Sequence, residues 1–160
     1  MMPGALRDIR GHASRQTYRA WIGAALALTT AVAAAQLPEI TLSLNGQRLT
    51  VEVANTEETR AQGLMYRRML PESRGMLFVF REPALHGMWM VNTYVPLSVA
   101  FVDERGIIIN IADMDPHTRT THSAARPVKY ALEMNRGWFA SRGITPGLRV
   151  EGIERAPPAR

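Results

Sequence analysis

Two alternating runs separated by a pair of turn residues constrain the fold of this chain more than any other feature. Apolar and polar residues alternate over residues 40–44 and again over residues 49–53, and Asn45-Gly46 lies between them. An Asn-Gly pair between such runs is typical of a two-residue β-hairpin, because both residues readily adopt the positive φ that the turn requires. The sequence therefore predicts a domain that begins with a β-hairpin.

Further strands are predicted along the rest of the chain. Residues 76–80 are all apolar and too few for an amphipathic helix, which is typical of a buried strand. Residues 97–102 and 107–111 predict a second hairpin, and residues 128–134 predict another strand. One short helix is expected after a cap at Asn55 or Thr56. The fold class is therefore mainly β, a β-sandwich or partly open barrel, with one or two short helices.

The first 35 residues have the order of a secretory signal. Residues 1–19 hold four arginines, and residues 20–34 carry no charge. This apolar run is shorter than the roughly 20 residues that a membrane-spanning helix needs, so we expect a cleaved signal peptide rather than a stable membrane span. Cleavage after Ala35 would leave one domain over residues 36–155, a disordered tail at residues 156–160, and a periplasmic or secreted protein. Retention of the segment as an anchor is the alternative.

The composition excludes several classes of protein. There is no cysteine, which rules out disulfides, thiol catalysis and thiolate metal sites. After residue 35 the chain carries 15 basic and 13 acidic residues, and the arginines are scattered, whereas a nucleic-acid-binding surface needs a basic stripe. The sequence also contains no phosphate loop, nucleophile elbow or dinucleotide fingerprint. We therefore expect no nucleic-acid partner and no cofactor, and a small ligand or a protein as the partner.

Four motifs in a fixed order carry a family resemblance. They read Thr56-x-x-x-Arg60-x-x-Gly63-Leu-Met65-x-Arg67, Gly75-Met-Leu-Phe, Trp89-Met-x-Asn-Thr93 and Tyr130-x-Leu-Glu133-x-Asn135-x-Gly137. In this order and spacing the chain resembles the domain-of-unknown-function family 192 over about residues 48 to 151. The resemblance implies a compact β-sandwich-like domain, often exported from bacteria, with no established reaction. Val91 and Ser98 stand where the family usually has a basic residue and an aspartate, so a mechanism based on those charges would not transfer.

Two arginines of the first motif are candidate binding residues. Arg60 and Arg67 are seven residues apart, and on a continuous helix both would point to one side and could hold a carboxylate or a phosphate. The alternative is that they bind Glu57, Glu52 or a backbone carbonyl and lock the helix onto the sheet. The sequence favours this structural role.

The segment from His86 to Thr93 is the second candidate. Trp89 alternates with Met88 and Met90, so it should be exposed if the methionines are buried, and an exposed tryptophan suits a binding groove. Asn92 and Thr93 belong to the same predicted groove, and Asn92 is expected to fix the turn before Pro96 through backbone hydrogen bonds.

Two other readings of the sequence remain open. His86, Met88 and Met90 share one face if the segment is extended, and one imidazole with two thioethers suits copper(I). Core packing is the more common use of such methionines. Alternatively, Asp113, Asp115, His117 and Glu133 offer general acid–base groups for a hydrolase-type enzyme. We expect a small binding or accessory module, with the hydrolase and copper(I) handling as the alternatives.

Overall fold

A computed structural model describes residues 36–160 of the chain. These residues form eight strands and one α-helix: β1 (Glu39–Leu44), β2 (Gln47–Ala54), α1 (Glu57–Gln62), β3 (Arg74–Ala84), β4 (Gly87–Met88), β5 (Leu97–Val102), β6 (Ile108–Met114), β7 (His122–Ser123) and β8 (Val128–Asn135). Two single-turn 3-10 helices follow, at Ala140–Arg142 and Ile153–Arg155. The predicted mainly β class with short helices is confirmed.

Six strands form one mixed sheet in the order β1-β2-β3-β8-β5-β6, and β4 pairs with β7 in a small second sheet. The neighbours are antiparallel except for β2 and β3, which are parallel. This parallel pair needs a crossover connection, and α1 with the loop after it supplies that connection. The helix and its loop are therefore brought against one face of the sheet.

The predicted hairpins are confirmed. Asn45 and Gly46 have φ of 50° and 76°, as a two-residue turn of this type requires, and Leu44 pairs with Gln47. Strands β5 and β6 form the second hairpin, from Leu97↔Met114 to Val102↔Ile108. The predicted last strand around Val150 is reduced to two isolated bridges, Ser43↔Glu151 and Ile107↔Arg149.

Both faces of the six-stranded sheet are covered by apolar residues. Leu77, Leu132 and Ala100 are cross-strand neighbours on one face, in a core packed under residues 138–153 that we call the C-terminal core. Phe78, Ala131 and Phe101 are the next row on the opposite face, in a core covered by residues 64–70, 90–95 and 124 that we call the loop-side core. Burial on both sides explains why residues 76–80 are continuously apolar.

Gly75 is fixed by the close approach of β8 to β3. A Cβ atom on Gly75 would lie 2.3 Å from Met134 Sδ and 2.4 Å from the Glu133 carbonyl oxygen. No side chain can occupy this position without moving the central pair of strands. The absence of a side chain at Gly75 therefore allows β8, with Glu133, to lie this close to β3.

The last residues are held against the domain, although the sequence suggested a disordered tail at residues 156–160. Asn55 Nδ2 donates to the Pro158 carbonyl at 2.9 Å, and the Arg160 N–H donates to the Asn55 carbonyl at 2.7 Å. Ala156 and Ala159 pack against the C-terminal core. The buried amide of Asn55 thereby finds partners in the tail, a pairing that no local pattern signals.

The predicted signal peptide at residues 1–35 lies outside the described residues. Within residues 36–160, no helix is long and apolar enough to cross a membrane.

Candidate functional site

A cavity of about 240 Å³ lies between the end of α1, the loop-side face of the sheet and β4. Its walls are mainly apolar and aromatic, and they come from α1 and the residues after it, from β3, and from β4 and the residue after it. The apolar lining residues are Ala61, Gly63, Leu64, Met65, Phe78, Phe80, Gly87, Met88 and Trp89, and the polar ones are Glu57, Arg60, Gln62, Thr93 and Glu133. A concave, mostly apolar cavity with few polar groups is the usual form of a small-molecule site.

The local sequence around α1 builds one wall of this cavity. Thr56 caps the helix: its hydroxyl accepts from the Thr59 N–H, and its backbone N–H donates to the Thr59 hydroxyl. Gly63 ends the helix with φ of 49°, and a Cβ there would lie 3.1 Å from the Phe78 ring. The helix therefore ends early and lies close to β3, which places Leu64 and Met65 at the cavity.

Glu133 at the cavity is the most unusual group in the described residues. It lies on the central strand β8 between Met76 and Val99, faces the loop-side core and is only 3% exposed. No group within residues 36–160 hydrogen-bonds its carboxyl group or forms an ion pair with it, but the carboxyl oxygens are not fully enclosed, because they lie at the cavity. Within the same residues, the fully enclosed side-chain polar atom without a partner is Trp138 Nε1. Burial away from water disfavours the charged form and raises the pKa of Glu133 to about 8. The side chain is therefore a largely neutral acid near pH 7 that still lacks a hydrogen-bond partner.

Arg60 and Arg67 do not form one anion site. The helix ends at Gln62, so Arg67 lies beyond it and binds Glu52 in a bidentate ion pair, with N···O distances of 2.5 and 2.7 Å. This pair lowers the pKa of Glu52 through its hydrogen bonds to Arg67. Arg60 donates to the carbonyls of Val79 at 3.0 Å and Arg160 at 3.5 Å. Both arginines thus make contacts of the kind that the structural alternative describes, and Arg60 also lines the cavity, so a binding role for Arg60 stays a prediction.

The segment after β4 places three predicted residues differently. Trp89 is 51% exposed and lines the cavity, whereas Met90 is fully buried in the loop-side core, as the alternation predicted. Thr93 is buried at the cavity, and its hydroxyl donates to the Val91 carbonyl.

The role predicted for Asn92 was wrong. Asn92 is exposed with φ of 54°, and its amide donates to the Tyr66 hydroxyl at 3.0 Å rather than to the turn before Pro96. The Tyr66 N–H in turn donates to the Asn92 carbonyl at 2.9 Å. Asn92 therefore ties its loop to the loop after α1, and the residue type suits the left-handed backbone conformation.

The three candidate copper(I) ligands have different surroundings. The His86 ring stacks on Phe80, and its Nε2 lies 2.9 Å from the Glu82 carbonyl, which requires the proton on Nε2. Met88 lines the cavity, and Met90 is buried in the core. Copper(I) binding by these residues stays a prediction.

The acid–base candidates are divided between the two faces of the sheet. Asp113 pairs with Ser98, and Ser98 pairs with Met134 of the C-terminal core, so Asp113 faces away from Glu133. Arg136 forms ion pairs with Asp113 and Asp115. Within residues 36–160, no group of three or more acidic or histidine side chains is arranged to hold a metal ion.

His117, the remaining acid–base candidate, and Ser98, the cross-strand neighbour of Asp113, both make contacts within the domain. His117 packs edge-on against Tyr94, with ring centroids 4.7 Å apart. Ser98, where the family resemblance implies an aspartate, donates to Asp113 at 2.5 Å and accepts from the Gly137 N–H at 2.8 Å. Ser98 and Asp113 together therefore hold the turn after β8.

Phe78, Phe80, Leu64 and Met65 line the site but were not predicted to do so. Their signal in the sequence was only that of core or helix-face residues, because an apolar residue that lines a cavity looks the same as one that fills a core. Glu133 did carry a signal, since it is a charged residue directly between the apolar residues Leu132 and Met134 of a predicted strand. That signal indicated an unusual environment without indicating which side chains surround it.

Comparisons with known proteins extend this description. The family model DUF192, described as an uncharacterized ACR, matches residues 40–152. A Sinorhizobium meliloti protein, described as a candidate transcription regulator, is 38% identical and superimposes with a TM-score of 0.72, over 76% of this chain and 98% of its own. A Novosphingobium aromaticivorans protein of unknown function is 36% identical with a TM-score of 0.68, over 72% of this chain and 86% of its own. No curated protein matches. The family match and the two similar structures together show that this chain belongs to the DUF192 family.

Proposed function

We propose that this protein is a small binding module that holds a small, mostly apolar ligand in the cavity beside Trp89. The observation that carries the proposal is a buried, unpartnered carboxyl group at an apolar cavity of about 240 Å³. A buried polar group without a partner is costly, so a site that keeps one is a candidate for a ligand that supplies the partner. The cavity volume suits a single ring or a short branched chain.

Binding is favoured over hydrolysis by the arrangement of titratable groups. A hydrolase-type site would need a second acid–base group beside Glu133. Asp113 faces the other side of the sheet, and Asp115 is engaged by Arg136. The other charged lining groups are Glu57, which is exposed, and Arg60, which already has carbonyl partners. The near balance of charge after residue 35 also supports a ligand other than nucleic acid.

The proposal can be tested by NMR with a series of small aromatic and branched aliphatic compounds. We expect saturable shifts of the amide resonances of Gly63 and Met88 and of the Trp89 indole. Ala61→Trp should abolish these shifts because the indole would occupy the cavity mouth, and Ala125→Trp, at an exposed position outside the cavity lining, should leave them. Shifts confined to other surfaces, or equal effects of the two variants, would refute the proposal.

Trp89→Ala should remove binding without unfolding the domain. Because Trp89 is half exposed, its truncation should change the free energy of unfolding by less than about 1 kcal/mol. Asn92→Ala should be the more destabilising variant, by roughly 1–2 kcal/mol, since it loses a hydrogen bond and puts alanine at positive φ. Chemical denaturation of both variants gives the comparison. A Trp89→Ala loss as large as that of a buried aromatic residue would assign Trp89 to the core.

We also propose that the module works in the periplasm or outside the cell. The support is the basic-then-apolar order of residues 1–35, with small residues at Ala33 and Ala35. N-terminal sequencing of protein from the periplasmic fraction should give Gln36 as the first residue. Recovery of intact protein that begins at Met1 in the cytoplasm would contradict export.

A further inference from the structure

We propose that the ligand of this cavity is a small organic amine, in which an apolar group carries a protonated nitrogen that pairs with the Glu133 carboxylate. The inference rests on the proposed function and names the ligand class of the same site. Two observations support it: one polar group at the cavity still lacks a hydrogen-bond partner, and the walls consist of aromatic rings and a thioether.

Glu133 is the buried lining group that still needs a partner. Thr93, the other buried polar residue at the cavity, already donates its hydroxyl to the Val91 carbonyl. Arg60 donates to the Val79 and Arg160 carbonyls. A carboxylate accepts hydrogen bonds and does not donate them, so the group that satisfies Glu133 in its charged form must be a donor. A protonated nitrogen supplies both the donor and the opposite charge.

The walls suit a cation with an apolar body. The rings of Phe78, Phe80 and Trp89 present π-electron surfaces, which attract an organic cation, and the thioether of Met88 is polarizable. At the rim, the negative charge of Glu57 lies on the same helix as the positive charge of Arg60. An anionic ligand could not pair with Glu133 in its charged form and would oppose its ionisation, so it is disfavoured.

A neutral ligand with a carbonyl or hydroxyl group is the competing class. It would leave Glu133 protonated and would gain one neutral hydrogen bond. An amine instead forms a charge-assisted hydrogen bond in an apolar site, where a paired charge is far more favourable than a lone one. This difference predicts a clear preference between ligands of equal shape.

Three probes of nearly equal size separate the classes: benzylammonium, benzyl alcohol and benzoate. Titrations at pH 7, followed by the NMR resonances of the cavity residues, should give the tightest binding for benzylammonium, with a Kd in roughly the millimolar range for so small a compound. Benzyl alcohol should bind more weakly, and benzoate weakest. Glu133→Gln should weaken benzylammonium binding by about tenfold or more and change benzyl alcohol binding by less than about threefold. Glu104→Gln, at an exposed turn, should change neither.

The outcomes distinguish this inference from the proposed function. If benzyl alcohol binds in the cavity as tightly as benzylammonium, or if Glu133→Gln does not weaken benzylammonium binding, the amine assignment is wrong and the binding function stands. If none of the probes shifts the cavity resonances, both are overturned. A thermal unfolding scan of Glu133→Gln shows whether the variant is folded, and Glu133→Asp, which keeps the charge, should retain part of the preference for benzylammonium.

Discussion

Replacing Glu133 by glutamine should stabilise the protein by several kcal/mol at pH 9 and by almost nothing at pH 4. Glutamine is similar in shape to glutamate and cannot ionise. The variant therefore removes the free-energy cost of burying a charged carboxylate and keeps the side-chain packing. Measurement of the free energy of unfolding of both proteins across this pH range gives the difference directly. This is one of the two largest effects that we expect from a single substitution in the domain.

The pH window follows from the raised pKa of Glu133. The pKa is 4.5 for an ordinary glutamate and about 8 in the folded protein. Below pH 4.5 the side chain is protonated in both states, so it makes no difference to stability. Between pH 4.5 and 8 the unfolded chain loses the proton and the folded chain keeps it, so parental stability falls as the pH rises. Above pH 8 both states are ionised and the difference levels off, at roughly 3–5 kcal/mol.

The control is Glu104→Gln, which removes an exposed carboxylate at the turn between β5 and β6. The free energy of unfolding of this variant should stay within about 0.5 kcal/mol of the parental value at every pH. Glu57 and Arg60 line the same cavity as Glu133, and their charges remain in both proteins of the comparison. If the stability difference for Glu133→Gln does not change between pH 4.5 and 8, then Glu133 is solvated or paired in the folded state, and the site loses its central group.

Replacing Phe78 by alanine should destabilise the domain by about 3–5 kcal/mol, as truncation of buried aromatic residues does. Phe78 is 2% exposed in the loop-side core, and its cross-strand neighbours on β2 and β8 are Ala54 and Ala131. Two small flanking residues cannot fill the space that the ring leaves, so the cavity would grow and the surrounding side chains would lose contacts. Equilibrium denaturation of the variant measures this loss.

Phe80→Ala is the matched control for Phe78→Ala. Phe80 lies two residues further along β3, is only partly buried and stacks on the ring of His86, which is also only partly buried. We expect its truncation to cost roughly half as much or less. Equal losses for the two variants, or a loss below about 1 kcal/mol for Phe78→Ala, would contradict the placement of Phe78 between the sheet and the residues that cover it.

Phe78 and Glu133 lie at the same cavity but have opposite effects on the stability of the fold. Phe78 stabilises the fold and forms a wall of the cavity, whereas Glu133 at the same cavity destabilises the fold at neutral and higher pH. A residue that lowers stability without an internal partner is a mark of a functional position. Gly75, which lets β8 approach β3 so closely, and Gly63, which ends α1 over Phe78, position these two side chains.

The local sequence predicted much of the fold because turns and strand alternation depend on neighbouring residues. Asn45-Gly46 fixed the first hairpin, Thr56 and Gly63 set the ends of α1, and residues 76–80 identified a strand buried on both faces. The exposure of Trp89 beside the buried Met90 also followed from alternation. These features can be predicted from local backbone preferences and from the alternation of side chains along a strand.

Other features were decided only by contacts between residues distant in the chain. The sequence offered Glu57, Glu52 or a backbone carbonyl as partners for the two arginines, but it could not show which arginine binds which partner. Nor could it show that Asn92 bonds Tyr66, or that the tail lies against Asn55. It also could not show that Asp113 and Glu133 face opposite sides of the sheet, because that depends on which strands β8 joins and in what register. The cavity is the clearest case, since its walls come from α1, β3, β4 and β8, and the environment that raises the pKa of Glu133 exists only when those elements pack together.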